Sequence, residues 1–303
     1  MLRSLILAIT NRRWVRRIAT GRAGRSVVRR FVAGEDIEDA LKVVKTLNER
    51  GLVASLDYLG ENVRDVSAAN AAADTYRAVI ERVEAAGLEA NLSMKLTQMG
   101  LDLDPEVAIG NAAIVAARAV EAKSSVTLDM EDHHYTETTV ETALRLADRY
   151  PGHVGVAVQA YLYRTEADLD RLIAGRVAVR LCKGAYREPH KIAYTNKADV
   201  DRAFAHLLVK LLGSEAYPMI ATHDERLVRH AVEQIAAIGR DRSTFEFQML
   251  YGVRRDLQEQ LARDGYRVRV YVPFGTEWYP YFMRRIAERP ANLRFFLRQL
   301  VSR

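Results

Sequence analysis

From about residue 50 onward, short runs rich in β-branched and aromatic residues alternate with longer runs of helical periodicity. This alternation constrains the fold more than any other feature of the chain. Strands separated by helices pair in parallel, because the helix supplies the crossover that two parallel strands need. The eight predicted strands are LVASLDYL (52–59), EANLSMKL (89–96), SVTLDME (125–131), HVGVAVQAYL (153–162), VAVRLCKG (177–184), YPMIATHD (217–224), TFEFQML (244–250) and YRVRVYV (266–272).

A helix is predicted after each strand. The predicted helices cover residues 68–86, 104–121, 136–149, 165–174, 201–212, 225–238, 253–264 and 277–288. Their ends carry the usual signals, such as Asp104 followed by Pro105 and a glycine shortly before several strands. Eight strand–helix units in about 235 residues predict an α/β fold, a closed (βα)8 barrel of the TIM type.

The alternative is an open, doubly wound sheet. A nucleotide-binding sheet of that kind needs a glycine-rich turn after its first strand. Here that position reads DYLGEN, with one glycine, which disfavours it. We therefore expect two parts, a basic amphipathic helical arm over residues 1–45 and a catalytic barrel over 46–303. The barrel includes a long polar loop at 185–200 and a final helix over 290–303.

The N-terminal arm carries most of the excess positive charge. Residues 1–34 hold nine arginines and no acid, in a chain whose net charge is +6. The arm also contains apolar residues, among them Trp14, and a basic amphipathic segment with tryptophan is typical of helices that lie on anionic membranes. The alternatives are a helix packed on the barrel and a targeting peptide. Nucleic-acid binding is not expected, because no nucleic-acid-binding motif accompanies the charge.

Two further features limit the possible classes of protein. Cys182 is the only cysteine, which excludes an intramolecular disulfide and is typical of a reducing compartment. No apolar run approaches the ~20 residues that a membrane-spanning helix needs.

Polar side chains stand at the C-terminal ends of several predicted strands, where the active site of a (βα)8 barrel lies. Lys95, Gln159 and Arg180 fall within runs that should be buried on both faces, and burying such groups is costly unless they are paired. Several of them at the ends of separate strands indicate one shared polar pocket.

The predicted pocket contains more cations than acids, which favours an anionic ligand such as a phosphate or a carboxylate. Arg284 and Arg285 follow Tyr281 by three and four residues, so the ring and both guanidinium groups share a helix face. That arrangement suits a small apolar molecule with a carboxylate. The alternative is a surface salt bridge to Glu288, worth about 0.5 kcal/mol. The cations are Lys95, Arg180, Lys183, Arg284 and Arg285, with Asp129 as the main acid.

The segment LDMEDHH (128–134) is the main candidate for a metal site, because carboxylates and imidazoles at strand ends bind Zn²⁺ or Mn²⁺. His133 and His134 are adjacent and are not expected to converge easily on one ion, although His223 can join Asp129 from the sixth strand. We expect no metal. In the alternative reading, Asp129 pairs with Lys95 or Arg180, and residues 131–134 form a solvated loop.

Seven short motifs, in order along the chain, resemble the proline dehydrogenase catalytic domain in its short, monofunctional bacterial form. They are SMKLTQ (93–98), LDME (128–131), VQAYL (158–162), VRLCKGAY (179–186), ATH (221–223), YVPFG (271–275) and YFMRR (281–285). The resemblance implies a barrel that binds FAD and oxidises L-proline to 1-pyrroline-5-carboxylate by hydride transfer. It also implies that the electrons pass to a membrane quinone, as the first step of proline catabolism.

The resemblance implies roles for individual residues as well. Asp129 is implied to order Lys95, and Arg180 to lie near the flavin N5; these are the candidate catalytic residues. Lys95, Arg284 and Arg285 are implied to bind the proline carboxylate, and Tyr271, Tyr281, Tyr186, Ala185 and Leu181 to surround its ring. Residues implied to contact FAD, besides Arg180, are Met130, Gln159, Lys183, Gly184, Ala185, Thr222, His223 and Glu288. No dedicated base for the amine proton is identified, and solvent is expected to take it.

A quinone acceptor favours contact of residues 1–30 with a membrane, and a cytoplasmic location or one peripheral to the inner membrane. Three other functions remain open. The first is a related flavin barrel such as a methylenetetrahydrofolate reductase, which gives no reason for the arginine pair. The second is a metal-dependent hydrolase or lyase that uses Asp129 and His223. The third is a basic scaffold whose arm binds membrane or nucleic acid.

Overall fold

The structure, a computed structural model, describes residues 28–61 and 63–288, with side chains as far as residue 283. Most of the predicted arm and the predicted helix over 290–303 lie outside the described residues. The same is true of the side chains of Arg284, Arg285 and Glu288.

The predicted strands form a closed parallel barrel in chain order, which confirms the (βα)8 fold over the open, doubly wound sheet. The last strand closes the barrel against the first, with Ala54 beside Val270 and Leu56 beside Val272. The strands are β1 (Val53–Tyr58), β2 (Ala90–Met94), β3 (Val126–Leu128), β4 (Val154–Gln159), β5 (Ala178–Cys182), β6 (Pro218–Ala221), β7 (Glu246–Leu250) and β8 (Val268–Phe274).

Helices surround the barrel, and several begin where a side chain caps them. The α-helices of the described residues are α1 (Ile37–Asn48), α2 (Val66–Ala85), α3 (Pro105–Glu121), α4 (Thr136–Arg149), α5 (Thr165–Ala174), α6 (Lys197–Leu212), α7 (Glu225–Ile238), α8 (Arg255–Arg263) and α9 (Trp278–Glu288). Asp65, Asp104 and Asp224 accept hydrogen bonds from backbone N–H groups in the first turns of α2, α3 and α7.

The irregular loop after β5 is shorter than predicted. Helix α6 begins at Lys197 and not at residue 201, because Oδ1 of Asn196 accepts a hydrogen bond of 2.9 Å from the backbone N–H of Ala198. Residues 183–196 contain no helix and no named strand. One isolated antiparallel bridge, between Leu162 and Ala193, ties this loop to the segment after β4.

Helix α1 precedes the first strand and forms part of the outer layer of the barrel. It begins after Asp36, which accepts a hydrogen bond of 2.9 Å from the backbone N–H of Asp39. Ala40, Val44 and Leu47 are buried in the main apolar core, and the helix packs against β1 and β8. The predicted boundary at residue 45 therefore falls within a helix.

The interior of the barrel is polar, whereas the layer between strands and helices is apolar. Leu56 and Leu92, on neighbouring strands, are buried in the apolar core. Arg180 on β5 donates hydrogen bonds to Ser93 on β2 and to Gln248 on β7, and neither strand neighbours β5. These bonds therefore cross the interior, where they hold polar groups below the C-terminal ends of the strands.

Candidate active site

Lys95 lies at the C-terminal end of β2 between two carboxylates. Its Nζ donates to Oδ1 of Asp57 on β1 over 3.1 Å, and it lies 3.9 Å from Oδ2 of Asp129, which follows β3. Burial acts to lower the pKa of Lys95, but the charges of Asp57 and Asp129 outweigh it and raise that pKa. The lysine is therefore held as a cation.

Asp129 is bound from β5 and from β8. It forms an ion pair with Nη1 of Arg180, and its Oδ2 accepts a hydrogen bond of 2.6 Å from the hydroxyl of Tyr271. Burial, together with the charges of Asp129 and Asp57, raises the pKa of Tyr271 well above its usual value, so the hydroxyl remains a donor. The pairing of Asp129 with Arg180, one of the alternatives drawn from the sequence, is present.

Arg180 connects the mouth of the barrel with its interior. Its Nη2 donates to Ser93 over 2.8 Å, its Nε donates to Gln248 over 2.5 Å, and its guanidinium carbon lies 5.4 Å from the ring centroid of Tyr271. With the bond to Asp129, these contacts use three of the five N–H donors of a guanidinium. Within the described part of the chain, two donors remain for a ligand.

The predicted excess of cations over acids is wrong for the three cations whose side chains the structure describes. The prediction did not count Asp57 inside β1, or Asp201 and Asp224 near the starts of two helices. Each cation has carboxylate partners: Asp57 for Lys95, Asp129 for Arg180, and Asp201 with Asp224 for Lys183.

Lys183 follows β5 and lies between the first turns of α6 and α7. Its Nζ donates to Asp201 over 2.5 Å and to Asp224 over 3.0 Å. Burial acts to raise the pKa of Asp224, but hydrogen bonds from Arg226 and Lys183 outweigh it and lower that pKa. A ligand phosphate at Lys183 therefore has to share the ammonium with two ionised carboxylates.

Gln159 joins the segments that follow β3 and β5, and Gly184 allows the second of these segments to lie close to Tyr161. The side-chain Nε2 of Gln159 donates to the backbone oxygen of Glu131 over 2.8 Å, and its Oε1 accepts from the backbone N–H of Ala185 over 3.2 Å. Gly184 has a φ of +119°, and a Cβ there would lie 2.3 Å from Cδ1 of Tyr161. Only glycine allows the loop that carries Ala185 to lie so close to that ring.

Thr222 and His223 follow β6 and are both engaged by backbone groups. Oγ1 of Thr222 accepts from the backbone N–H of Asp224 over 3.2 Å, and Nε2 of His223 accepts from that of Leu250 over 2.8 Å. The imidazole proton is therefore on Nδ1. Among the described residues, Asp129 and His223 do not belong to a group of three candidate metal ligands.

Glu131 is buried, so the alternative that placed it in a solvated loop is wrong. Its carboxylate accepts hydrogen bonds from the backbone N–H of Thr97 over 3.2 Å and from the Thr97 hydroxyl over 2.8 Å. Burial raises the pKa of Glu131 to about 7, although both bonds from Thr97 oppose the shift. The segment between β2 and α3 covers this side chain, which the polar sequence around it did not indicate.

The adjacent histidines approach each other more closely than their sequence suggested. The rings of His133 and His134 lie 3.8 Å apart between centroids. With Asp132 they form the only group of three candidate metal ligands among residues 28–61 and 63–288. Each imidazole faces a carboxylate, His133 at 2.6 Å from Glu188 and His134 at 3.0 Å from Asp132.

The other predicted contact residues lie around the same end of the barrel. Met130 and Leu181 are buried, the latter completely, and Tyr186 is half-buried in the loop after β5. Tyr281 is buried near the start of α9, in an apolar cluster against which Tyr271 packs. The start of α9 therefore borders the site, as predicted.

Three interior residues were missed or given no role from the sequence. They are Asp57 in SLDY, and Glu246 and Gln248 in EFQ. All three are buried polar residues in strands whose alternate positions are apolar. That alternation was the available signal, because side chains at every second position of a strand share a face.

Comparison with known proteins identifies the relatives of the chain. The family model described as "Proline dehydrogenase" matches residues 40–298. Proline dehydrogenase 1 of Bacillus subtilis subsp. natto is 39% identical over 303 residues, which cover 100% of both chains. Proline dehydrogenase of Deinococcus radiodurans is 40% identical over 306 residues, which cover 100% of this chain and 98% of the relative.

A solved structure has the same fold. It is proline utilization A from Bdellovibrio bacteriovorus inactivated by N-propargylglycine, which superposes with a TM-score of 0.82 at 23% identity. The match covers 88% of this chain and 33% of that larger protein.

Proposed function

The chain belongs to the proline dehydrogenase family of oxidoreductases, and we propose that it oxidises L-proline to 1-pyrroline-5-carboxylate with FAD and a membrane quinone as successive acceptors. A hydride leaves the ring carbon beside the nitrogen and a proton leaves the amine, so the C–N bond becomes an imine. The observation that best supports this is the bonded group of Lys95, Asp129, Arg180 and Tyr271 at the C-terminal end of the barrel.

The proposed carboxylate site consists of Lys95, Arg284 and Arg285. The raised pKa of Lys95 supports this role, because the ammonium stays charged although it is buried. The proposed wall around the proline ring consists of Tyr271, Tyr281, Tyr186, Ala185 and Leu181. Tyr271 suits this place because its hydroxyl is fixed on Asp129 and its ring packs against the cluster that contains Tyr281.

The residues after β4, β5 and β6 fit FAD by the chemistry of their donors. They offer an amide, an ammonium, a hydroxyl and an imidazole on adjacent strands, and Arg180 keeps two further N–H groups. These groups match the hydrogen-bonding edge of a flavin and the oxygens of a pyrophosphate. FAD, when bound, accepts the hydride. The proposed contacts are Met130, Gln159, Arg180, Lys183, Gly184, Ala185, Thr222, His223 and Glu288.

Asp129 is proposed to orient the site and not to act as the base. It receives the Arg180 guanidinium on one oxygen and the Tyr271 hydroxyl on the other, and it lies 3.9 Å from the Lys95 ammonium. Positioning dominates a hydride transfer, since the reacting atoms have to be held about 3–3.5 Å apart. Solvent then takes the amine proton.

A visible spectrum of the purified full chain tests this function. We expect flavin absorbance that bleaches when L-proline is added without oxygen and returns when a soluble quinone analogue follows. D-Proline is the matched control, because it places its carboxylate and its reactive carbon differently relative to the same clamp. A protein that stays colourless after incubation with FAD, or that L-proline does not bleach, contradicts the proposal.

The quinone acceptor leads us to propose that the segment 1–30 contacts a membrane surface. Among the described residues, no helix has the length and apolar character needed to cross a bilayer. The deletion to test should stop at residue 27, because Val28 and Phe31 are buried in the cluster with Phe282. We expect it to abolish binding to anionic liposomes and to leave bleaching by L-proline intact. Equal liposome binding by both forms contradicts the proposal.

A further inference from the structure

A row of buried polar side chains runs along the barrel interior below the proposed flavin site. Nε of Arg180 donates to Oε1 of Gln248 over 2.5 Å, and Nε2 of Gln248 donates to Oε1 of Glu246 over 2.6 Å. Gln248 and Glu246 lie two residues apart on β7, so they share the face that points inward. All three side chains are nearly inaccessible to solvent.

The orientation of the Gln248 amide is set from both of its ends. A guanidinium can only donate hydrogen bonds, and an ionised carboxylate can only accept them. The amide oxygen must therefore face Arg180, and the amide nitrogen must face Glu246. A flipped amide would place a donor against a donor and an acceptor against an acceptor in a buried site, where neither group has water as a substitute.

Glu246 is fixed as a carboxylate at the base of this row. Arg269 donates to it through Nε over 2.6 Å and through Nη2 over 3.0 Å, and also donates to the backbone oxygen of Ala54 over 2.7 Å. Arg267 lies 3.4 Å away, and the Tyr217 hydroxyl donates over 3.5 Å. Burial acts to raise the pKa of Glu246, but the charge of Arg269 outweighs it and lowers that pKa.

The buried row of Arg180, Gln248 and Glu246 determines the orientation of the Arg180 guanidinium at the barrel mouth. The bond to Gln248 engages Nε, which leaves the two Nη groups for Asp129, Ser93 and a ligand at the barrel mouth. A planar guanidinium held at Nε and at both Nη atoms has one orientation. Loss of the bond at Nε lets the guanidinium plane rotate. This rotation weakens the hydrogen bonds that the Nη groups donate to Asp129, Ser93 and a ligand.

We propose that Glu246 and Gln248 are positioning residues for the oxidation, acting through Arg180 from inside the barrel. This inference rests on the proposed function, since the effect is expected on hydride transfer. Neither residue touches the substrate site, and both act by holding one arginine in one orientation.

The main test is Gln248→Met, which removes both bonds of the amide and keeps the Glu246–Arg269 pair intact. A misaligned Arg180 should reduce kcat about tenfold to a hundredfold. Binding of tetrahydrofuran-2-carboxylate, a proline analogue without the reactive amine, should change less than about threefold, because Lys95 is untouched. The flavin midpoint potential should become more negative, because Arg180 no longer faces the reduced ring in one orientation.

Gln258→Met is the matched control. Gln258 is also a buried glutamine with two hydrogen bonds, to the backbone oxygens of Leu250 and Val253, but it does not contact Arg180. Gln258→Met should lower the free energy of unfolding about as much as Gln248→Met does, and it should leave the flavin midpoint potential unchanged. Glu246→Asp, which keeps the charge, should retain more of the wild-type potential than Glu246→Gln.

A nuclear magnetic resonance measurement separates this inference from the proposed function. The Nε–H resonance of Arg180, assigned with Arg180→Lys, should be protected from exchange in the wild-type chain and lose protection in Gln248→Met. This readout needs neither FAD nor turnover.

If the exchange protection of Arg180 Nε–H and the flavin midpoint potential are the same in Gln248→Met and in the wild type, the positioning role is overturned. If the wild-type chain shows no flavin reduction by proline, the proposed function fails instead.

Discussion

Lys95 and Asp57 form a buried ion pair that joins β2 to β1 at the mouth of the barrel, with 3.1 Å between Nζ and Oδ1. Asp57 is completely buried and the side chain of Lys95 is 9% exposed, so water replaces neither partner. The same ammonium lies 3.9 Å from Asp129. The position of the Lys95 ammonium therefore depends on Asp57, because its other carboxylate neighbour, Asp129, also pairs with Arg180.

Replacing Asp57 by Asn should leave the Lys95 ammonium without its nearest counter-charge. Breaking a buried ion pair by removing one partner costs about 3–5 kcal/mol, so we expect a loss of that size in the free energy of unfolding by urea. The Michaelis constant for proline should rise about tenfold, because Lys95 is drawn toward Asp129 and away from the carboxylate site.

The matched control for Asp57 is Asp74→Asn, which removes an exposed ion pair with Arg77. Such pairs contribute at most about 1 kcal/mol. If both variants lose the same small amount of stability, Asp57 does not carry a buried charge pair. If Asp57→Asn is destabilised and its Michaelis constant is unchanged, Lys95 does not bind the substrate.

Tyr271→Phe should remove the hydroxyl from Asp129 and keep the ring. The lost bond is 2.6 Å long and made to a charged acceptor, so the variant should lose about 1.5–3 kcal/mol of stability. It should also lose turnover, because Asp129 then has one fewer contact to hold it between Lys95 and Arg180. Tyr76→Phe tests specificity, since its buried hydroxyl donates to Gln98 over 3.1 Å and not to Asp129. Equal losses of kcat in both variants would speak against a role for the Tyr271 hydroxyl.

The barrel could be predicted from the sequence because its signals are local. Each strand and helix is marked by periodicity and caps within a few residues, as at Asp104 and Pro105. Eight repeats of this strand–helix pattern are compatible with few architectures. The helix start at Lys197 was missed because Asn196 caps it within a stretch that is otherwise polar.

The pair of Asp129 with Arg180 was one of the alternatives drawn from the sequence, but other pairings inside the barrel could not be predicted in the same way. Arg180 donates a hydrogen bond to Ser93, which is 87 residues away in the sequence, and Tyr271 donates one to Asp129, which is 142 residues away. These contacts depend on how the strands register around the closed barrel, which no short stretch of sequence encodes. The residues predicted at strand ends lie near one another because the fold itself brings those ends together, whereas Asp57 lies inside a strand and was not considered.

Glu131 should make stability depend on pH. Its pKa is raised to about 7 in the folded chain from 4.5, so the folded state binds more protons than the unfolded state between these values. The stabilisation is complete below about pH 4.5 and is lost as the pH rises through 7. This shift in pKa corresponds to about 3 kcal/mol in the free energy of unfolding.

Urea unfolding of the wild type and of Glu131→Gln at pH 5 and pH 8 measures this effect. The glutamine variant should gain up to about 3 kcal/mol relative to the wild type between the two pH values. Glu121→Gln, which removes a mostly exposed carboxylate, is the control, and its gain should be smaller than that of Glu131→Gln. A pH-independent difference between wild type and Glu131→Gln would mean that Glu131 is ionised throughout.

Gly184→Ala should destabilise the loop that carries Ala185 and Tyr186. The position has a φ of +119°, and the new Cβ would lie 2.3 Å from Cδ1 of the buried Tyr161 ring. Strain and overlap together should cost at least about 2 kcal/mol. Gly87→Ala separates the two causes, because Gly87 has a φ of +60° and nothing within 4 Å of its Cβ position.

The Gly87 variant should lose only about 1 kcal/mol, the cost of the left-handed backbone. Urea unfolding measures both losses, and retention of FAD on a desalting column measures the effect on the proposed cofactor site. Gly184→Ala should release FAD more readily than Gly87→Ala, because the segment after β5 has to move away from Tyr161 and from the Gln159 side chain that binds its backbone. If the two variants retain FAD equally, the close packing of Gly184 serves stability alone.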